Sequence, residues 1–256
     1  DTSFSRVASA SDWYLNIKLE SNNQINHSTV LGRRKHASNG AGIFDAPMFP
    51  GIEKNISIAM DLDGSTGFEY IRDIRSLDEF NGVWNLRIND LGDEFMISSS
   101  QIGPFPEGLQ VGLVDINEKK VLLNFLDHKE MIPNNKNSVY DLKVIAGDQE
   151  YVKSMSQEIL SSIPEEFSLG QNYPNPFNPI TQMEYSLPQS SKVVISIYNV
   201  LGQEIKTLVN KEQDYGYHSV SWDGTDRLGK SVASGVYFTQ MRSDGFSQSK
   251  KMLLLK

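Results

Sequence analysis

Two carboxylates before a glycine are the side chains here best suited to hold a cation. In Asp61-Leu62-Asp63-Gly64-Ser65, both acids precede a turn residue, and Ca²⁺ prefers hard oxygen ligands of this kind. Asp61 and Asp63 are therefore candidate ligands of a structural Ca²⁺ ion, the one cofactor that the sequence suggests. A complete EF-hand loop would carry an acidic residue at its twelfth position, where this chain has Arg72. A turn that exposes its acids to water is the interpretation we favour.

Other residue patterns that could support catalysis do not come together. His27, His36, His128 and His218 lie in different segments, without the short spacing that places two ligands on one metal. The chain contains no cysteine, nucleophile elbow, phosphate-binding glycine loop or zinc-protease helix motif. With 32 acidic residues, pairs resembling glycosidase carboxylates arise by chance. We expect no enzymatic activity.

Two other features could contact a ligand. The basic run Arg33-Arg34-Lys35-His36 precedes Asn39-Gly40; we expect a solvated loop, with binding to acidic polysaccharide or to an acidic protein face as the alternative. An exposed Trp13, Tyr14 or Trp84 would suit carbohydrate. Sequence alternation places the two tryptophans on apolar strand faces, which favours a role in the core.

Charge and hydropathy exclude two classes of partner. The chain has 24 Lys and Arg against 32 Asp and Glu, a net charge of −8, so no electrostatic footprint for nucleic acid is present. The longest apolar run, Met252 to Leu255, is far shorter than the roughly 20 residues of a membrane-spanning helix. We expect neither nucleic-acid binding nor a transmembrane segment.

Alternation of apolar and polar residues predicts an all-β protein. The pattern recurs at Trp13 to Leu19, Trp84 to Ile88, Tyr140 to Val144 and Val193 to Ile197, with Asp-Gly and Asn-Gly turns between runs. We therefore predict two β-sandwich domains, Ig-like or jelly-roll-like, with sequential antiparallel connections. Tyr151 to Leu160 is the one candidate helix.

Domain boundaries follow from proline content. Pro174, Pro176 and Pro179 each lack an amide donor, so their segment cannot be a central strand and should be an extended lead-in held by side chains. We predict an N-terminal β-sandwich at 1–155, a linker and Pro-rich lead-in at 156–179, and an Ig-like domain at 180–256.

Four motifs follow one another in the last third of the chain. They are Tyr173-Pro174-Asn175-Pro176-Phe177-Asn178-Pro179; Val194 to Glu204, which includes Gly202; Trp222-Asp223-Gly224 followed by Ser234-Gly235-Val236-Tyr237-Phe238; and Lys250-Lys251-Met252-Leu253-Leu254-Leu255-Lys256. The glycines suit turns and the aromatics suit a small core. In this order, the motifs resemble the type A C-terminal sorting domain of the type IX secretion system, over residues 166–256.

The resemblance implies export. In that family the domain folds in the periplasm, is recognised by the outer-membrane secretion machinery, and is frequently cleaved so that the cargo is released or attached to lipopolysaccharide. It implies a secreted, cell-surface location. Residues 10–150 more loosely resemble the β-sandwich that often precedes such domains.

Two functions fit these observations. The first is a structural or adhesive surface protein that associates with copies of itself, because exposed strand edges can pair between chains and propagate a filament. The alternative is the non-catalytic C-terminal region of a larger secreted hydrolase or peptidase, with its catalytic domain before Asp1.

Overall fold

Strands dominate the computed structural model, which describes residues 12–21, 24–35, 37, 46–47, 57–61, 70–76, 81–89, 94–133 and 139–255. The described part contains one helix, and the predicted all-β class is confirmed. The chain divides into two compact units, residues 1–160 and 161–256.

The described residues of the N-terminal unit contain eleven strands and most of the helix. Its elements are β1 Trp13–Ser21, β2 Gln24–Arg34, β3 Ala46–Pro47, β4 Ser57–Asp61, β5 Tyr70–Ser76, β6 Gly82–Asn89, β7 Glu94–Ile102, β8 Gln110–Asp115, β9 Lys120–Leu122, β10 Lys129–Pro133, β11 Val139–Gly147 and α1 Gln149–Ser162.

These strands form one hydrogen-bonded sheet in the order β10-β7-β1-β2-β5-β4-β6-β11-β8-β9, with β3 paired to β5. The prediction of sequential antiparallel connections is wrong here, because β2 and β5 pair in parallel. Antiparallel neighbours need only a hairpin, whereas a parallel pair needs a crossover. In this chain the described part of the crossover contains strands β3 and β4.

The sheet folds back on itself around one core. Trp13 in β1 meets Trp84 in β6 edge to face, with ring centroids 6.0 Å apart, although several strands separate them in the sheet. Phe95 and Tyr140 make a similar contact at 5.4 Å. These four aromatics are buried, as alternation predicted for Trp13 and Trp84, so neither tryptophan is an exposed carbohydrate platform.

The basic run at 33–36 is not the solvated loop expected from its charge. Arg33 and Arg34 end strand β2, and Arg33 is only 1% exposed. Its guanidinium lies 5.7 Å from the ring centre of Trp84 and donates to the carbonyl of Asn81. Arg33 shares an inward face with Leu31 because both have the same strand parity; local charge gave no sign of this. His36 lies outside the described residues.

Helix α1 covers the predicted segment and extends it by two residues at each end. Asp148 caps it, since its carboxylate accepts the amide of Tyr151 at 2.8 Å. The buried face consists of Val152, Ser156 and Ile159. Gly112 permits this packing, because a Cβ there would lie 2.8 Å from Val152 Cγ1.

The C-terminal unit is a two-sheet sandwich. Its strands are β12 Ser168–Leu169, β13 Thr181–Leu187, β14 Ser191–Asn199, β15 Glu204–Gln213, β16 Gly216–Trp222, β17 Gly235–Ser243 and β18 Phe246–Leu254. One sheet has the order β12-β13-β16 and the other β15-β14-β17-β18. Buried residues from both sheets, including Met183, Ile195 and Met252, form a single core.

Candidate recognition surface of the C-terminal unit

The proline-rich lead-in is fixed by backbone and amide hydrogen bonds. Tyr173 and Gln182 exchange two backbone hydrogen bonds, at 2.8 and 3.0 Å. The buried Asn172 donates to the carbonyl of Pro174 at 3.0 Å and to Thr181 Oγ1 at 2.9 Å. Thr181 donates to the same carbonyl at 2.8 Å. Side chains thus replace the ladder that the prolines cannot make, as the sequence predicted. The peptide bonds before Pro174 and Pro176 are cis.

The end of the lead-in lies along the last strand. The amide of Phe177 donates to the carbonyl of Leu253 at 3.0 Å, and the amide of Leu255 donates to the carbonyl of Phe177 at 2.9 Å. Asn175 Oδ1 accepts the amide of Leu253 at 3.0 Å. The carbonyl of Lys251 accepts from Gln171 at 2.8 Å and from Asn175 at 3.3 Å. The outer edge of β18 is therefore capped by the first motif.

The backbone pairing of Phe177 with Leu253 and Leu255 is called the seam. Beneath it, aromatic residues of the motifs form part of the core. Phe177 packs on Trp222 at 5.6 Å, and Trp222 meets Tyr237 edge to face at 5.1 Å. Trp222 Nε1 donates to the carbonyl of Thr225 at 2.9 Å, and Tyr237 donates to that of Ala233 at 2.8 Å. Burial raises the pKa of Tyr237. These rings therefore belong to the core, and the polar atoms of Trp222 and Tyr237 are both hydrogen-bonded to backbone carbonyls.

Gly224, in the third motif, lies against residues of the first and the fourth motif. Its φ is +67°, and a Cβ there would lie 3.2 Å from the carbonyl oxygen of Pro179 and 3.5 Å from a methyl of Leu254. At the start of β17, Gly235 faces Leu254 in register. All four motifs, which lie within residues 173–256, belong to one folded unit.

Two loops hold large aliphatic side chains in solvent. In the loop after β14, Asn199 Oδ1 accepts the amides of Leu201 and Gln203, each at 3.0 Å, and Gly202 takes a φ of +75°. In the loop after β16, Asp226 Oδ1 accepts the amides of Leu228 and Lys230 at 2.8 and 2.9 Å. These two hydrogen bonds to the carboxylate lower the pKa of Asp226, and the bond from the Lys230 amide has the larger effect.

The side chains that these loops present are apolar and exposed. Leu201 is 78% exposed and Leu228 71% exposed, with Val200 nearby at 67%. The short-range side-chain-to-backbone bonds preorganise the loops, which lowers the entropic cost of binding a partner. The sequence predicted a turn at Gly202 but did not reveal the exposed aliphatic side chains. The signal for them was the turn-forming residue shortly before each one, Asn199 in the first loop and Asp226 in the second.

The remaining motif residues lie at the surface or in turns. Asp223 Oδ1 accepts from Thr225 Oγ1 at 2.6 Å and from Lys206 Nζ at 3.1 Å. Both contacts lower the pKa of Asp223, and the bond from the Thr225 hydroxyl has the larger effect. Asn178 and Pro179 are exposed, Lys250 is half-buried and Lys251 is exposed.

The N-terminal unit has one buried carboxylate beside a cleft. Asp115 borders a cavity of about 440 Å³ between β9 and β10. Its Oδ1 accepts the amide of Glu118 at 2.9 Å, and its Oδ2 accepts from the hydroxyl of Tyr140 at 2.7 Å. Burial raises the pKa of both Asp115 and Tyr140. Since both carboxylate oxygens are engaged, Asp115 braces the turn between β8 and β9.

The structure does not describe the side chains of the two predicted Ca²⁺ ligands. Asp61 is the last residue of strand β4, and Asp63 lies outside the described residues. Among the residues that are described, no group of three or more His, Cys, Asp or Glu could hold a metal ion. In the same part of the chain, no helix is long and apolar enough to cross a membrane.

Comparisons with known proteins identify the second unit as Ig-like. Residues 180–245 match the FlgD Ig-like domain, and no curated protein matches the chain. Two solved structures from Porphyromonas gingivalis are similar. One is PorZ, an essential surface component of the type IX secretion system, at 15% identity and a TM-score of 0.26, over 44% of this chain and 14% of PorZ. The other is dimeric latent PorU, at 10% identity and a TM-score of 0.30, over 96% of this chain and 30% of PorU. The chain thus spans less than a third of either protein.

Proposed function

We propose that the C-terminal unit is a type IX sorting domain, and that the chain is an exported, non-enzymatic cell-surface protein with a structural or adhesive role. The observation that carries the proposal is the seam in which Phe177 binds the backbone of both Leu253 and Leu255. Through it, the first and last motifs of the resemblance become one structural element.

This seam suits a transport signal that is read after folding. Lys251 and the aliphatic tips Leu201 and Leu228 are exposed, while Phe177, Trp222 and Tyr237 hold the scaffold from inside. A receptor for such a unit would contact the exposed set, and the buried set would act by positioning it. The outer-membrane secretion machinery is the proposed partner.

The absence of enzymatic activity belongs to the same proposal. Its support is that Asp115, the buried carboxylate that borders the cleft, uses both of its oxygens in structural hydrogen bonds. His218, one of the described histidines, stacks on Tyr185 and contacts a backbone carbonyl. These contacts support structural roles for Asp115 and His218.

Self-association would use strand β16. Within the described residues this seven-residue strand pairs only with β13, without a register shift, and it contains no charged residue or proline. The neighbouring edge strand β15 carries several charges and two irregularities in its pairing, which are the devices that protect edges from other chains. An added strand from a second copy therefore fits β16 better.

Export is tested with the full chain behind a general secretion signal in a bacterium that has a type IX system. We expect the wild type at the cell surface, and in the periplasm of a strain without the type IX channel. Asn175→Ala removes two side-chain bonds to β18 and should cause periplasmic retention. Asn210→Ala, at an exposed site on β15, is the matched control and should be exported.

Equal export of both variants, or export without the type IX channel, would contradict the sorting role. Intact mass of the native polypeptide separates the two functional hypotheses. A surface species of about 28.8 kDa supports a self-contained structural protein, whereas a much larger polypeptide with catalytic motifs upstream supports the tail of a hydrolase or peptidase.

A further inference from the structure

The outward face of the four-stranded sheet carries aromatic, amide and hydroxyl groups in adjacent rows. Tyr198 on β14 lies opposite Phe238 on β17, which lies opposite Lys251 on β18. In the next row, Gln240 lies between Ser196 and Ser249. Phe238 is 36% exposed. The face defined by β14, β17 and β18 is called the outer platform.

The charged side chains on the three strands of the outer platform are all basic. Strands β14, β17 and β18 contain no aspartate or glutamate, although the chain has a net charge of −8. Lys192, Arg242 and Lys251 are exposed on these strands, and they alternate with the core residues, so they project outward. Acids border the outer platform: Asp244 lies in the turn that joins β17 and β18, and on the neighbouring β15 Glu204 lies opposite Tyr198 and Glu212 opposite Lys192.

Two shallow, solvent-open depressions occupy the ends of the outer platform. One, of about 330 Å³, is lined by Tyr198, Phe238, Gln240 and Ser249. The other, of about 530 Å³, is lined by Lys192, Val194, Arg242 and Ser247, with Asp244 at its edge. Six residues of strand, about 20 Å at 3.3 Å per residue, separate Tyr198 from Lys192. The outer platform is therefore long enough to contact an extended stretch of a polymer chain.

Arg242 connects the two depressions. Its Nε and Nη2 donate to Gln240 Oε1 at 2.9 and 2.6 Å, so the guanidinium lies along the strand toward the polar row. This contact orders the planar group before any ligand arrives, and an ordered guanidinium is suited to a carboxylate. The aromatic rings and Lys251 lie at one end of the outer platform, and Arg242 and Lys192 lie at the other.

From this arrangement we propose that the outer platform binds an anionic polysaccharide that contains uronic acids. The apolar faces of its sugar rings would pack on Phe238 and Tyr198, its hydroxyls would bond to Gln240 and Ser249, and its carboxylates would pair with Arg242 and Lys251. An acidic polypeptide would satisfy the charges but would not use the aromatic row. The inference gives the proposed adhesive role a ligand, and its test does not depend on export.

The test is calorimetric titration of the purified full chain with polygalacturonate, with neutral dextran and polyglutamate as comparison polymers. We expect binding of polygalacturonate alone. The double variant Arg242→Gln/Lys251→Gln should bind it about tenfold or more weakly, and so should Phe238→Ala. Lys153→Gln, on the exposed side of α1, removes one positive charge elsewhere and should bind as the wild type.

Each contrary result overturns the proposal. Equal binding of dextran would mean that charge plays no part, and equal binding of polyglutamate would mean a general acidic protein site. Unchanged affinity of the double variant, or no binding of polygalacturonate by wild type at millimolar sugar, would remove the outer platform as the site. Circular dichroism melting of each variant confirms that a loss of affinity reflects the surface and not unfolding.

Discussion

The amide of Phe177 donates to the carbonyl of Leu253 at 3.0 Å, and this bond joins a proline-rich segment to the final strand of the chain. The two residues are far apart in sequence, yet their ring and backbone contacts close the same edge of the C-terminal sandwich. The stability of β18 is therefore coupled to the lead-in.

Replacing Phe177 with alanine should destabilise the C-terminal unit by about 3–5 kcal/mol, because it removes a buried ring and leaves a cavity against Trp222. Hydrogen exchange by mass spectrometry should show faster exchange at Leu253 and Leu255. Phe238→Ala deletes the same ring at a partly exposed site and should cost less than about 1.5 kcal/mol. Similar losses for both would contradict the seam.

Gly224→Ala should cost more stability than Gly229→Ala. Both glycines have positive φ, but only at Gly224 would a Cβ approach the carbonyl of Pro179. Backbone strain alone predicts a loss of about 1 kcal/mol at either site, and the crowded contact adds to it at Gly224. Urea unfolding measures the difference, and equal midpoints would show that Pro179 moves aside without cost.

Tyr140→Phe should destabilise the N-terminal unit by about 1–3 kcal/mol, since it leaves Asp115 Oδ2 buried without its donor. Tyr217→Phe removes a hydroxyl from a side chain that is 77% exposed and serves as the control. Hydrogen exchange by mass spectrometry at β8 and β11, measured over a urea series, reports on this unit. A Tyr140 variant as stable as the control would mean that water replaces the hydroxyl.

Asp223 should make stability depend on pH in the acid range. Its pKa is lowered in the folded state by Thr225 and Lys206, so its stabilisation is complete above the ordinary aspartate pKa of about 3.9 and is lost as pH falls through the lowered value. The site is exposed, so the effect is small, about 0.5 kcal/mol. The advantage of the wild type over Asp223→Asn should shrink below pH 4 in urea titrations. A difference that stays constant to pH 2 would contradict this origin.

Ser219→Lys should abolish self-association, because a charge on the exposed face of β16 opposes pairing with another strand. Asn210→Lys introduces the same charge on β15, which already carries charged residues, and should leave assembly intact. Sedimentation velocity and negative-stain microscopy compare the two variants. If Ser219→Lys assembles like the wild type, β16 is not the interface.

Local signals identified much of the fold. Strand alternation located the cores around Trp84 and Ile195, and proline content identified the lead-in before Phe177. Both signals act within a few residues, where side-chain parity and missing amides impose structure directly. The buried Arg33 was not predicted, because its partner Trp84 lies about fifty residues away and charge normally indicates exposure.

The all-β class, the helix at α1 and the turn glycines could be predicted from the sequence, since each depends on periodicity or on a local backbone requirement. The parallel pairing of β2 with β5, the capping of β18 by the lead-in, and the common face of Arg242, Phe238 and Lys251 are visible only in the folded chain. Those relationships depend on register and strand order, which follow from the packing of distant segments around a common core.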